Sequence, residues 1–182
     1  MCEIHKLHPD DFEVEHFQGQ KEAEELIFTW TNLYLACKNC NGMKPRTTPE
    51  GGYLAPCNET DNVETEIKYV LGQRFFDRPS FTKSNQNPSV KVTNTIDLLT
   101  RLHHGHNPNT RRKTASLREL INRRAKKLVL AITKHKEALN HQDHAAAKQN
   151  EAQIRRYLSR RAPFTMLMRC IGSRYDYHYL FD

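Results

Sequence analysis

The chain has 182 residues, 37% of them hydrophobic, a mean hydropathy of −0.79 and a formal net charge of +7. That length suffices for one domain, or for a core with an appendage, and no apolar run approaches the ~20 residues of a membrane-spanning helix. With five cysteines, an odd number, and two of them three apart, a reduced compartment with metal binding fits better than a disulfide framework, and no signal peptide is expected.

The charge is uneven. Residues 1–60 hold 5 Lys and Arg against 10 Asp and Glu, residues 61–100 balance at 5 and 5, and residues 101–182 hold 18 against 6. An acidic N-terminal third attracts divalent cations, and a basic C-terminal part attracts polyphosphate. The plain alternative for the basic run is a solvated helix surface.

In chain order, Phe12-Glu-Val-Glu-His-Phe17 alternates apolar and polar, which predicts a short strand. Gln18-Gly19-Gln20 breaks it, and residues 21–28 read as a short acidic helix or an irregular loop. Asn32 to Leu35 predicts a second strand, running into the thiol turn Cys37-Lys-Asn-Cys40. Pro45, Pro49 and Gly51-Gly52 limit regular structure after Lys44. Residues 66–76 read as a hairpin turning at Gly72-Gln73, and residues 77–93 as a loop.

Asn94 is placed to cap a helix through Leu102, followed by a polar loop from His103 to Arg112. Ser116 with Glu119 has the spacing of a capping box, in which each side chain satisfies a backbone amide the helix leaves unpaired. Leu117, Leu120, Ile121, Leu128, Ile132 and Leu139 then recur at helical spacing. Asp143 is placed to cap the next helix, through about Arg161. Pro163 suits the first turn of a last one, and Gly172 its end. The tail from Tyr175 to Phe181 is aromatic, which suits either a partner-docking strand or packing on the chain's own core.

Two polar clusters carry the chemistry. The first strand supplies Glu13, Glu15 and His16; the second segment supplies Asn32 and Asn41, with Lys44 just after. An acid directly before a histidine, then Asn-Leu, then C-x-x-C-Asn with a following lysine, resembles the HNH endonuclease motif. The resemblance implies an α+β fold: a small N-terminal ββα-metal core and a mainly α-helical basic C-terminal part. It also implies metal-dependent hydrolysis of phosphodiester bonds, with His16 as general base, Glu15 and Asn41 holding a catalytic Mg²⁺ or Mn²⁺, and Asn32 fixing the loop that orients the histidine. The acid is usually Asp and is Glu15 here; the last position is often His and is Asn41 here. Taken alone, His16 would read as a half-buried strand histidine, and the asparagines as turn residues.

Many HNH proteins carry a second C-x-x-C upstream. Here only Cys2 and His5 stand there, so Cys2, His5, Cys37 and Cys40 would form a structural Cys₃His zinc site, with His8 as a spare. The alternative is a core packed without zinc. Cys57 and Cys170 read as ordinary buried thiols. His103-His104-Gly105-His106 reads as a solvated or phosphate-contacting loop.

The resemblance continues through YLAPC, IKYVLGQ and NTIDLL toward the PtuB-type HNH nucleases of Septu and retron anti-phage systems. That implies a cytoplasmic prokaryotic effector partnered with a PtuA-like ABC-type ATPase, with a reverse transcriptase and its DNA product joining in retron versions. The expected organisation is a nuclease core at 1–60, a completing segment at 61–113 and a basic helical region at 114–182. Lys44, Arg123, Arg124, Lys126, Lys127, Arg155 and Arg156 are the expected contacts to DNA or structured RNA, with Arg160 and Arg161 nearby. The competing function is a non-catalytic zinc-knuckle binding module, for which Glu15 and His16 would be incidental.

Overall fold

The computed structural model describes residues 3–4, 9–56, 58, 60–70 and 78–182. Cys2, His5, His8, Cys57 and the expected turn at Gly72-Gln73 lie outside them.

The N-terminal lobe is a strand pair and a helix. β1 (Phe12–His16) runs antiparallel to β2 (Leu33–Cys37), with Glu15 opposite Tyr34 and His16 opposite Leu33. Strand alternation puts Glu13 and Glu15 on one face and Val14 on the other. Two 3₁₀ turns, Glu24–Leu26 and Trp30–Asn32, occupy the connection, so the acidic stretch forms irregular structure. The second strand passes directly into α1 (Lys38–Met43), whose start is capped by the Cys37 thiol accepting from Cys40 N at 3.4 Å. Strand, loop, strand and short helix together give the expected ββα arrangement, within an α+β fold whose remainder is mainly helical.

The second sheet departs from the expected hairpin. After the short helix α2 (Val63–Glu66), β3 (Ile67–Val70) pairs with β4 (Ser80–Lys83), inside the segment expected to be a loop. Phe81 supplies β4's one buried side chain, too little for an alternating pattern, and it packs edge-on to Tyr69 at 4.8 Å.

α3 (Val90–His104) starts four residues before the expected cap Asn94, with Ser89 as N-cap. Asn94 instead sits within the helix and donates to Glu50 O and Gly52 O, both at 2.9 Å, tying down the loop before α2. α4 (Pro108–Asn140) also starts early. Its capping box is Asn107 with Thr110, not Ser116 with Glu119, and Pro108 takes the first turn, where its missing N–H costs nothing. Between α3 and α4, Gly105 has φ +71, and a Cβ there would sit 2.6 Å from Arg111 N, so only glycine fits.

Asp143 caps α5 (His144–Leu158), accepting from Ala146 N at 2.9 Å. A three-residue link joins α4 to α5, as in a helical hairpin. α6 (Thr165–Arg174) begins after Phe164, which takes a left-handed conformation at φ 58, and it continues past Gly172. Ile121, Leu128, Ile132, Ile154, Leu158, Leu167 and Met168 form the main core. Small residues Ala125, Ala131 and Ala138 let α4 approach its neighbours, while Leu120 and Leu139 remain exposed at its edges.

The aromatic tail belongs to this core. Tyr177 and Leu180 are buried, and the Tyr177 hydroxyl lies 2.6 Å from His135 Nδ1. Arg169, buried, donates to Asp182 Oδ1 at 2.6 Å and Glu64 Oε2 at 3.0 Å, joining the tail to α2 through α6.

Candidate active site

His16 ends β1, where its ring reaches back to the connecting loop. Its Nε2 lies 3.0 Å from the carbonyl oxygen of Ile27. A carbonyl only accepts, so Nε2 carries the proton and donates. Nδ1 is then the basic nitrogen, with the amide of Gln20 at 3.3 Å as its donor. The ring thus has a fixed tautomer, with Nδ1 turned to a partly exposed position beside the Gln20 amide.

Asn32 holds the loop that makes this possible. It is 4% exposed, accepts from Gln18 N at 2.7 Å, and donates to Gln18 O at 3.3 Å and Leu26 O at 3.2 Å. Its own carbonyl accepts from Phe17 N at 2.9 Å. One buried carboxamide therefore ties the start of the loop, just after His16, to its far end, just before Ile27.

The carboxylates divide in two. Glu15 is buried and paired with the Lys44 ammonium, which also donates to His16 O at 2.6 Å and Phe17 O at 2.9 Å. Glu13, exposed at the mouth, accepts from the Asn41 carboxamide at 2.8 Å. So the contact partner of Asn41 in this structure is Glu13, and that of Glu15 is Lys44. Gln20 and the Ile27 carbonyl join the site beyond the residues named from the sequence, and Glu13, named there without a role, partners Asn41. Lys44, expected on the nucleic-acid surface, is turned inward with a side chain 9% exposed.

No group of three or more His, Cys, Asp and Glu side chains is placed to hold a metal among the described residues. The oxygens of Glu13, Glu15 and the Asn41 carboxamide nonetheless suit a hard divalent cation. The gathering of an ammonium by Glu15 and two carbonyls shows that this end of the cluster stabilises positive charge. Of the expected zinc set, Cys37 and Cys40 are buried at the base of α1, and Cys2 and His5 lie outside the described residues.

Residues 1–47 match the HNH endonuclease family model. The match spans β1, β2 and α1, including Glu13, His16, Asn32 and Asn41, and ends before the helical part. It supports a metal-dependent, nuclease-type hydrolase function for the HNH segment. No curated protein and no solved structure matches the chain. None of the helices among the described residues is long and apolar enough to cross a membrane.

The expected nucleic-acid residues outside the HNH segment take different positions. Arg123 is exposed and paired with Glu119 at 2.7 Å, and Arg155 with Glu151 at 3.4 Å. Lys126, Lys127 and Arg156 are exposed. Arg124 is half-buried over the Tyr157 ring at 4.8 Å, so it packs α4 on α5 instead of facing solvent. Arg160 holds the C-terminal Asp182.

The histidine cluster is only in part a solvated loop: His106 is exposed between α3 and α4, but the other two are not. His103 and His104 end α3; His103 is 3% exposed and set against Tyr69 and Phe81, and burial pushes its pKa down to about 3. His104 Nε2 meets Pro79 O at 2.6 Å. Cys170 is half-buried, and burial raises its thiol pKa, in keeping with an inert thiol.

Proposed function

We propose that the protein is a metal-dependent HNH endonuclease that hydrolyses phosphodiester bonds in nucleic acid. The observation that carries this is the held histidine: Nε2 donates to a backbone carbonyl at the loop's far end, and a buried asparagine fixes that loop. A binding module needs no such tautomer control.

In this reading His16 Nδ1 takes the proton of the attacking water. Asn32 keeps the imidazole in place through the loop, and the Gln20 amide, 3.3 Å from that same Nδ1, yields the lone pair to the water and stays beside it. Glu13, Glu15 and Asn41 would hold Mg²⁺ or Mn²⁺, and when bound the cation supplies positive charge to the phosphate and the leaving oxygen. Lys44 balances Glu15 and fixes the carbonyls that follow His16. A structural zinc ion would fall to Cys37 and Cys40, with Cys2 and His5.

The narrower assignment rests on sequence resemblance alone: a PtuB-type effector in the prokaryotic cytoplasm, restrained or triggered by a PtuA-like ABC-type ATPase, and in retron systems by a reverse transcriptase with its DNA product. Its substrate would be DNA or tRNA.

The test is cleavage of plasmid DNA and of bulk tRNA with Mg²⁺ or Mn²⁺, with EDTA as control. Cleavage that EDTA abolishes, and that Asn41→Ala reduces, supports the proposal. Equal cleavage with and without EDTA contradicts it.

A further inference from the structure

The loop that anchors His16 carries two aromatic side chains that are left uncovered among the described residues. Phe28 is 94% exposed and Trp30 84% exposed, one and three residues past the Ile27 carbonyl that holds the imidazole. Trp30 borders an open groove of about 1110 Å³ that begins at Gln18 and Asn32, the two residues clamped together beside His16. Tyr34 and Tyr53 continue its wall, and Phe17 lies between them, 5.5 Å from the Tyr34 ring and 6.4 Å from the Tyr53 ring.

The charge in this groove offers no track for a phosphate backbone, single- or double-stranded, so what can enter it is bases, with their phosphates left at its open side. Lys91 is the lysine on its lining, and Asp61 already holds it at 3.1 Å. Glu22 and Asp61 line the groove as well. A phosphate track needs a row of Lys and Arg, and in this chain that charge lies on α4 and α5 instead. What the groove offers is the open face of Trp30, with Phe17 and Tyr34 half-buried and Tyr53 buried along its wall, and its volume exceeds the roughly 300–1000 Å³ of a small-ligand cleft. Nucleobases that are unpaired present a face to such a surface, whereas those in a duplex are stacked inside and must first be unstacked.

We infer that this groove takes an unpaired stretch of the nucleic-acid substrate, with one base stacked on Trp30, and that the substrate class is single-stranded or looped nucleic acid. This rests on the nuclease reading above. Trp30 acts as a positioning residue: it places the strand beside His16 without touching the reacting atoms.

Trp30 is the single tryptophan of the chain, so its fluorescence reports stacking directly. The experiment titrates the full chain in EDTA with a twelve-nucleotide single strand, as DNA and as RNA, and with the matching duplex. Labelled strands give Kd by anisotropy. The expected result is a saturable quench by single strands and binding at least tenfold weaker by duplex. Trp30→Ala should raise Kd roughly 5- to 150-fold, the range for loss of one stacked base. Trp30→Phe should keep most of the affinity. Phe28→Ala, equally exposed but off the groove, should change Kd less than twofold.

Because Trp30 is exposed, unchanged melting of Trp30→Ala confirms its fold. Equal Kd for wild type and Trp30→Ala overturns the inference and leaves the aromatic surface to a protein partner. An equal quench by duplex overturns the substrate class. Binding is read without metal or cleavage, so strands that quench Trp30 but are not cut when Mg²⁺ or Mn²⁺ is added would refute the nuclease reading and leave the groove assignment standing.

Discussion

Lys44 gives the sharpest quantitative prediction. Its ammonium meets the Glu15 carboxylate and two backbone carbonyls, with side chains 9% and 8% exposed. Lys44→Met keeps the stem and removes the charge, which strands a buried carboxylate and two acceptors. Breaking one partner of a buried pair costs about 3–5 kcal/mol. For a chain of this length, ~1 kcal/mol lowers Tm by about 2–4 °C, so the variant should melt roughly 6–20 °C lower. Thermal unfolding followed by circular dichroism measures this. In the double variant Glu15→Gln/Lys44→Met no charge is left stranded, so it should recover at least about 1 kcal/mol of the loss. Saturating Mg²⁺ should stabilise Lys44→Met more than wild type, because the cation then has Glu15 to itself. If the two single substitutions and the double are additive within ~0.5 kcal/mol, or if Mg²⁺ acts equally on both proteins, the pair is not coupled to a cation site and the reasoning fails.

Other expectations follow from particular contacts. His103 has its folded pKa lowered to about 3 by burial. The unfolded chain binds a proton near pH 6.5 that the folded chain refuses, so stability is full above that pH and falls below it. The slope should approach about 1.4 kcal/mol per pH unit between pH 6 and 4, and His103→Phe should flatten it in pH-dependent urea titrations. Asn32→Asp keeps the shape but sets a carboxylate against the carbonyls of Gln18 and Leu26; kcat should fall at least tenfold with the chain still folded, read by cleavage rate and circular dichroism. Deletion of residues 175–182 removes buried Tyr177 and Leu180, each contributing about 1.5–3 kcal/mol, and should cut Tm sharply in a melting scan. Gly105→Ala forces a Cβ onto the backbone of Arg111 and should destabilise the α3–α4 junction, read by the same scan.

The N-terminal lobe was legible because its signals are local. Alternation in Phe12–Phe17 marks β1, and the Cys37–Cys40 turn marks the passage into α1. The pairing of Glu13 with Asn41 was not legible, since it joins residues 28 apart and depends on strand register. Lys44 looked like a surface cation because a lysine after a turn usually is one; only the fold brings Glu15 over it. In the helical part, Ser116 and Glu119 imitated a cap that Asn107 and Thr110 actually make, and Pro108, inside the stretch expected as a polar loop, starts the helix. β4 hid in a polar stretch because one buried ring, Phe81, is all it contributes. His103 read as solvated because the aromatic rings that enclose it come from β3 and β4.

The central claim is that His16 Nδ1 is the general base of a metal-dependent nuclease. The measurement that tests it most directly is the rate of nucleic-acid cleavage in Mg²⁺ or Mn²⁺ by wild type, His16→Ala and Gln20→Ala, each first shown to be folded. Loss of at least a hundredfold in His16→Ala, with a smaller loss in Gln20→Ala, is the predicted result. Equal rates in wild type and His16→Ala would contradict it.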